Sequence, residues 1–124
     1  MEEIRTDDAP EPIGPYSQGV RDGDTVYVSG QGPADPASRE VEVEGVRDQT
    51  AQVLANAEAV LAAAGGSLGD VVKATVYLRD MADYDGMNEV YADRFSAPYP
   101  ARAAVEVADL PIDVRVEIEF VASV

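Results

Sequence analysis

The chain has 124 residues, with 24 acidic side chains against nine basic ones, a net charge of −15, and neither cysteine nor histidine. One domain with one core fits this length, and the composition excludes disulfides, thiol nucleophiles, imidazole bases and the usual transition-metal ligands. An evenly spread negative charge argues against an electrostatic grip on nucleic acid, and no apolar run approaches the roughly 20 residues that cross a bilayer.

Residues 1–12 combine acids with Pro10 and Pro12 and read as an irregular arm of a single domain covering 1–124. They start with Met1-Glu2-Glu3 and contain no apolar signal region, so a cytoplasmic location is expected. Asp22-Gly23-Asp24 is a turn between two extended segments. Thr25 to Ser29 alternates with period two and is a strand with Val26 and Val28 on one face, ended by Gly30-Gln31-Gly32-Pro33. A polar loop follows, with a short extended piece over 40–43.

From Val46 the spacing changes to that of a helix. Val46, Thr50, Val53, Leu54, Ala57, Val60, Leu61 and Ala64 form one stripe, capped by Gly65-Gly66. A strand over 71–78 points Val72, Ala74, Val76 and Leu78 inward. Asp80 or Asp83 caps a second helix with the stripe Tyr84, Met87, Tyr91 and Arg94/Phe95, stopped by Ala97-Pro98-Tyr99-Pro100. Strands over 103–108 and 113–122 complete an α+β layer pair with both helices on one sheet face.

The other face lacks a helical cover. Period two places there Thr25, Tyr27, Ser29, Val71, Lys73, Thr75, Tyr77, Arg102, Ala104, Glu106, Arg115, Glu117, Glu119 and Val121. Such a mixture points to a second copy of the chain covering the sheet, with pockets between copies; the alternative is an ordinary wet sheet face. Lys73, the one amine able to form a Schiff base, reads as a packed strand residue. Catalysis is left to carboxylates, hydroxyls, amides, backbone and guanidinium, with no metal or cofactor.

Arg102, in Pro100-Ala101-Arg102, is a cation at the mouth of an apolar strand in a strongly acidic chain, and its planar fork suits a small carboxylate. A carboxylate such as Glu117, able to hold and deprotonate water, would complete a metal-free hydrolytic pair, within or between subunits. For an arbitrary Arg and Glu the alternative is a structural ion pair. Glu119 shares the Glu117 face and competes for the same role.

Five segments add to this reading: Gly14-Pro15-Tyr16-Ser17-Gln18, Val28-Ser29-Gly30-Gln31, Met87-Asn88-Glu89-Val90-Tyr91, Pro100-Ala101-Arg102 and Val116-Glu117-Ile118-Glu119. In this order and separation they closely resemble the RidA family, also called YjgF, of reactive intermediate imine deaminases. The resemblance implies a chorismate-mutase-like mixed sheet assembled as a homotrimer with sites between subunits. It implies cofactor-free hydrolysis of 2-aminoacrylate and related enamines and imines to 2-oxo acids and ammonia. Matched residue by residue, Arg102 would hold the substrate carboxylate, Glu117 the water, and Tyr16, Ser29, Gly30 and Asn88 the pocket geometry; apart from the resemblance, a backbone carbonyl near Arg102 or Ala104 is a further candidate to bind the water. Ala103-Ala104 departs from a family pattern that often has Ser followed by Cys or another small residue, which puts substrate preference in question. Ligand-binding or chaperone-like regulatory trimers and RNA cleavage are also associated with the family; the net charge weighs against RNA. The acid excess with one lysine also resembles proteins of halophilic cytoplasms, so salt is expected to stabilise the chain.

Overall fold

The computed structural model describes residues 1–124. Eight elements follow in order: β1 (Glu2–Ile4), β2 (Gly19–Asp22), β3 (Thr25–Gln31), α1 (Val46–Ala63), β4 (Val71–Leu78), α2 (Tyr84–Arg94), β5 (Ala101–Glu106) and β6 (Val116–Ser123). Short 3-10 turns at Leu68–Asp70 and Met81–Asp83 lead into β4 and α2. The strands form one mixed sheet in the order β1-β2-β3-β6-β4-β5, in which only the β4–β5 pair is parallel. Both helices pack on one face, giving the expected α+β architecture.

Apolar side chains sort by period. Val26 and Val28 of β3, Val76 and Leu78 of β4, and Ile118 and Phe120 of β6 meet Val53, Leu54, Ala57, Val60 and Leu61 of α1 and Met87 and Tyr91 of α2 in one buried cluster. Truncating any of the large members to alanine costs about 2–5 kcal/mol. The end of α1 is set by Gly65, whose φ of 83° lets its N–H donate to the Ala62 carbonyl at 3.0 Å while Gly66 donates to Leu61 at 2.9 Å.

Four expectations are corrected. Part of the arm is a strand: Glu2 to Ile4 pair with Arg21 to Gly19, and Ile4 is buried, although acids on either side hide this in the sequence. In β4 the register shifts between Val71 and Lys73, so Val71 is buried and Val72 is 51% exposed, the reverse of the simple alternation. Arg115 precedes β6 and reaches back toward the helices, donating to the Glu44 carbonyl and pairing with Asp83 at 3.2 Å.

The fourth correction concerns β5. Its parallel register sets Arg102 beside Ala74 and Ala104 beside Val76, both buried under the helices, so Arg102, Ala104 and Glu106 face the helices rather than the open side. The alanine-rich strand has little apolar contrast to reveal this. Its one large aliphatic, Val105, lies 42% exposed on the open face.

Three buried amides fasten the loops. Gln18 shares its two amide hydrogens among the carbonyls of Thr6, Ala9 and Pro10 and accepts from the Thr6 N–H at 2.8 Å, tying the arm to β2. Asn56 of α1 holds the loop after β3 through the Gly32 and Ala34 carbonyls at 3.1 and 2.8 Å. Gln49 binds the Val43 carbonyl and the Arg115 N–H, joining the loop before α1 to the entry of β6. Each satisfies backbone groups that would otherwise be buried and unpaired.

Candidate functional site

The candidate residues fall into two recesses on opposite sides of the sheet. The first is a cleft of about 510 Å³ beside β3 and β6, lined by Tyr16, Ser29, Gly30, Ile112, Glu117 and Glu119 among others. Glu117 lies across Gly30: a Cβ there would fall 2.8 Å from its Oε2 and 2.9 Å from its carboxyl carbon. No donor of the chain hydrogen-bonds the Glu117 carboxylate. Burial, and secondarily the charge of Glu119, push its pKa above the ordinary carboxylate value.

Glu119 is engaged differently, accepting a short hydrogen bond from the Tyr77 hydroxyl, whose own pKa is pushed up to about 12, chiefly by that bond. The Ser29 hydroxyl donates to the Ser17 carbonyl at 2.6 Å, so it fixes the Tyr16 segment against β3. Tyr16 is half exposed, with its hydroxyl accepting weakly from the Ile13 N–H at 3.4 Å.

The second recess, about 320 Å³, lies between α2 and β5 and is lined by Asn88, Tyr91, Ala92, Tyr99, Pro100 and Arg102. The Arg102 guanidinium carbon stands 4.8 Å from the Tyr91 ring centroid and 5.7 Å from that of Tyr84. Its Nη2 donates to the Tyr84 hydroxyl at 3.1 Å and its Nη1 lies 3.9 Å from Met87 Sδ. Six of the eight arginines form salt bridges, and Arg21 is satisfied by the Ala64 and Val124 carbonyls. Arg102 alone is a partly buried guanidinium with no carboxylate and no carbonyl beside it.

Within one chain, therefore, Tyr16, Ser29, Gly30 and Glu117 share one recess, Asn88 and Arg102 share the other, and the two groups do not meet. Ala104 joins neither; its side chain packs against the core. Tyr84, Met87 and Tyr91, which frame Arg102, were visible in the sequence only as the buried stripe of α2. Tyr91 has the one buried side-chain polar atom without a hydrogen-bond partner, its hydroxyl, and burial raises its pKa against the opposing pull of Arg102.

Comparison with known proteins shows the family of the chain. The family model described as Endoribonuclease L-PSP matches residues 6–124. A RutC family protein of Pyrococcus horikoshii is 54% identical over 121 residues, covering 98% of this chain and 96% of the relative. A protein of Dermatophagoides farinae named 2-iminobutanoate/2-iminopropanoate deaminase is 43% identical over 118 residues, covering 95% and 92%. Among solved structures, RidA from an Antarctic Psychrobacter superposes with a TM-score of 0.97 at 49% identity over the whole of both chains. Escherichia coli TdcF with bound serine superposes at 0.94 with 44% identity, covering 100% of this chain and 99% of that one. The chain thus belongs to the Endoribonuclease L-PSP family, which takes in the RutC and RidA proteins.

Proposed function

We propose that this protein hydrolyses 2-aminoacrylate-type enamines and imines, including 2-iminobutanoate and 2-iminopropanoate, to 2-oxo acids and ammonia, without a cofactor, in sites assembled between the subunits of a cytoplasmic homotrimer. The observation that carries the proposal is the isolation of Arg102. In a chain with 24 acids, a partly buried guanidinium held by aromatic rings and a hydroxyl, yet free of any carboxylate, is suited to an anion from outside the chain. Relatives named 2-iminobutanoate/2-iminopropanoate deaminase and Reactive Intermediate Deaminase A supply the substrate class.

Each half then has a task. Arg102 grips the substrate carboxylate, and Asn88 shapes the same recess. Glu117, facing Arg102 of a neighbouring copy, holds a water and takes its proton as the oxygen adds to the imine carbon. An enamine first takes a proton at its terminal carbon to become the N-protonated imine; after water has added, the proton on Glu117 passes to the nitrogen of the carbinolamine, the hydroxyl proton returns to Glu117 as the C–N bond breaks and the C=O bond forms, and ammonia and the 2-oxo acid leave. A carboxyl with a raised pKa suits these proton transfers, which typically contribute about 10²–10⁴-fold. Tyr16, Ser29 and Gly30 keep the Glu117 side in shape.

The open sheet face favours assembly. Tyr27, Val72 and Val105 are 42–51% exposed there, around Lys73, Thr75, Tyr77 and Glu119, a mixture suited to a second copy. RNA cleavage, which the family description suggests, has no basic groove to serve it at a charge of −15.

The test couples a threonine dehydratase to this protein and follows conversion of the imine to 2-oxobutanoate. The native protein should accelerate it; Arg102→Ala and Glu117→Ala should lose most of the acceleration, and Arg102→Lys should recover little, because an ammonium lacks the two-pronged contact. Unchanged turnover in either alanine variant would refute the assignment. Binding of 2-oxobutanoate with no acceleration would identify a ligand-binding regulatory member of the family instead.

A further inference from the structure

We propose that Tyr84 is a positioning residue for Arg102, fixing the guanidinium so that its remaining N–H edge meets the substrate carboxylate; this rests on the carboxylate-binding role proposed above. Arg102 stands on an edge strand, where a long side chain has many rotamers and no ion pair selects one. The selection comes from one stripe of α2, at positions 84, 87 and 91. Tyr91 lies under the guanidinium at 4.8 Å, Met87 Sδ sits 3.9 Å from Nη1, and the Tyr84 hydroxyl accepts from Nη2 at 3.1 Å. Only the last contact is directional enough to set rotation in the guanidinium plane.

The chemistry of the hydroxyl fits this task. A carboxylate at position 84 would hold Nη2 more firmly but would cancel the charge meant for substrate. A phenylalanine would keep the aromatic face and lose the acceptor. A neutral phenol orients the cation and leaves its charge intact.

That neutrality has a limit. The neighbouring Asn88 side chain and then the Arg102 guanidinium pull the Tyr84 pKa below the ordinary phenol value, against desolvation and the charge of Asp85 on the same helix. Once the phenolate forms, it becomes the counter-ion of Arg102 and competes with the substrate.

The experiment compares the native protein with Tyr84→Phe and Arg102→Ala, reading KM and kcat in the coupled assay and calorimetric Kd for 2-oxobutanoate from pH 7 to 10. Tyr84→Phe should raise KM and Kd about 5–10-fold, with kcat within about twofold. Native binding should weaken toward alkaline pH, and that limb should vanish in Tyr84→Phe. Native KM and Kd in Tyr84→Phe, alongside a dead Arg102→Ala, would overturn the positioning role alone. So would weaker binding that kept the native alkaline limb, which marks a merely structural effect. Native binding in Arg102→Ala would remove the proposed function and this inference together.

Discussion

Arg102 and Glu117 project from opposite faces of one sheet, with β4 running between their strands. Arg102 pairs with Ala74 and reaches α2, whereas Glu117 pairs with Tyr77 and faces the open side. No rotamer carries either side chain through the sheet. If the two act on one substrate, they come from different copies, the Arg102 side of one copy meeting the Glu117 side of another. Such a head-to-tail contact makes a ring where its rotation closes.

Gly30 is where a single methyl group would displace the Glu117 carboxylate. An alanine Cβ would stand 2.8 Å from Glu117 Oε2, so the carboxylate must move. Gly30→Ala should lower kcat by about 10²-fold, in line with the cost of misplacing a reacting group by about 1 Å. Steady-state kinetics together with an unchanged far-ultraviolet dichroism spectrum would check this.

The Glu117 carboxyl links stability to pH. Its folded pKa lies above its unfolded value of about 4.3, so its contribution to folding is full below the unfolded value and is lost as pH rises through the folded one. Glu117→Gln should therefore unfold at a higher temperature than the native protein at neutral pH, with the gap closing toward pH 4. Glu119→Gln removes a charge that raises the Glu117 pKa, so the acid limb of kcat/KM should move to lower pH. Thermal melts and pH–rate profiles measure these two effects.

Much of the fold was legible because burial left a period. The α1 stripe, the turn at Asp22-Gly23-Asp24, the alternation of Val26 with Val28 and the placing of Glu117 and Glu119 on the open face each match an element. Where apolar contrast was low, the period misled: Ala101 to Glu106 offered no large inward residue, so Arg102 was assigned to the wrong face, and a bulge exchanged Val71 with Val72. Long-range polar work left no periodic mark at all. Gln18, Gln49 and Asn56 look like surface amides until the loops they hold are in place, and the Tyr84 hydroxyl gains its partner only when β5 docks beside α2.

Gln18 holds four backbone groups of the arm at once. Gln18→Ala should cost about 1–3 kcal/mol, since buried carbonyls lose their donor. Denaturant titration reads the loss. Amide exchange should quicken at residues 4–6, with α1 protected as before.

A charge of −15 on 124 residues repels itself at low ionic strength. The melting temperature should rise between dilute buffer and about 1 M KCl, where screening acts within about 3 Å. A flat response would show that the surface charge is locally balanced.

The shared site is tested most directly by mixing two inactive proteins. Arg102→Ala keeps Glu117, and Glu117→Ala keeps Arg102, so subunits exchanged between the two form some sites with both residues intact. Random mixing in equal amounts should restore roughly a quarter of native imine hydrolysis, because one site in about four draws each residue from the competent partner. A mixture no more active than its parents, after subunit exchange is verified by native mass spectrometry, would contradict the account.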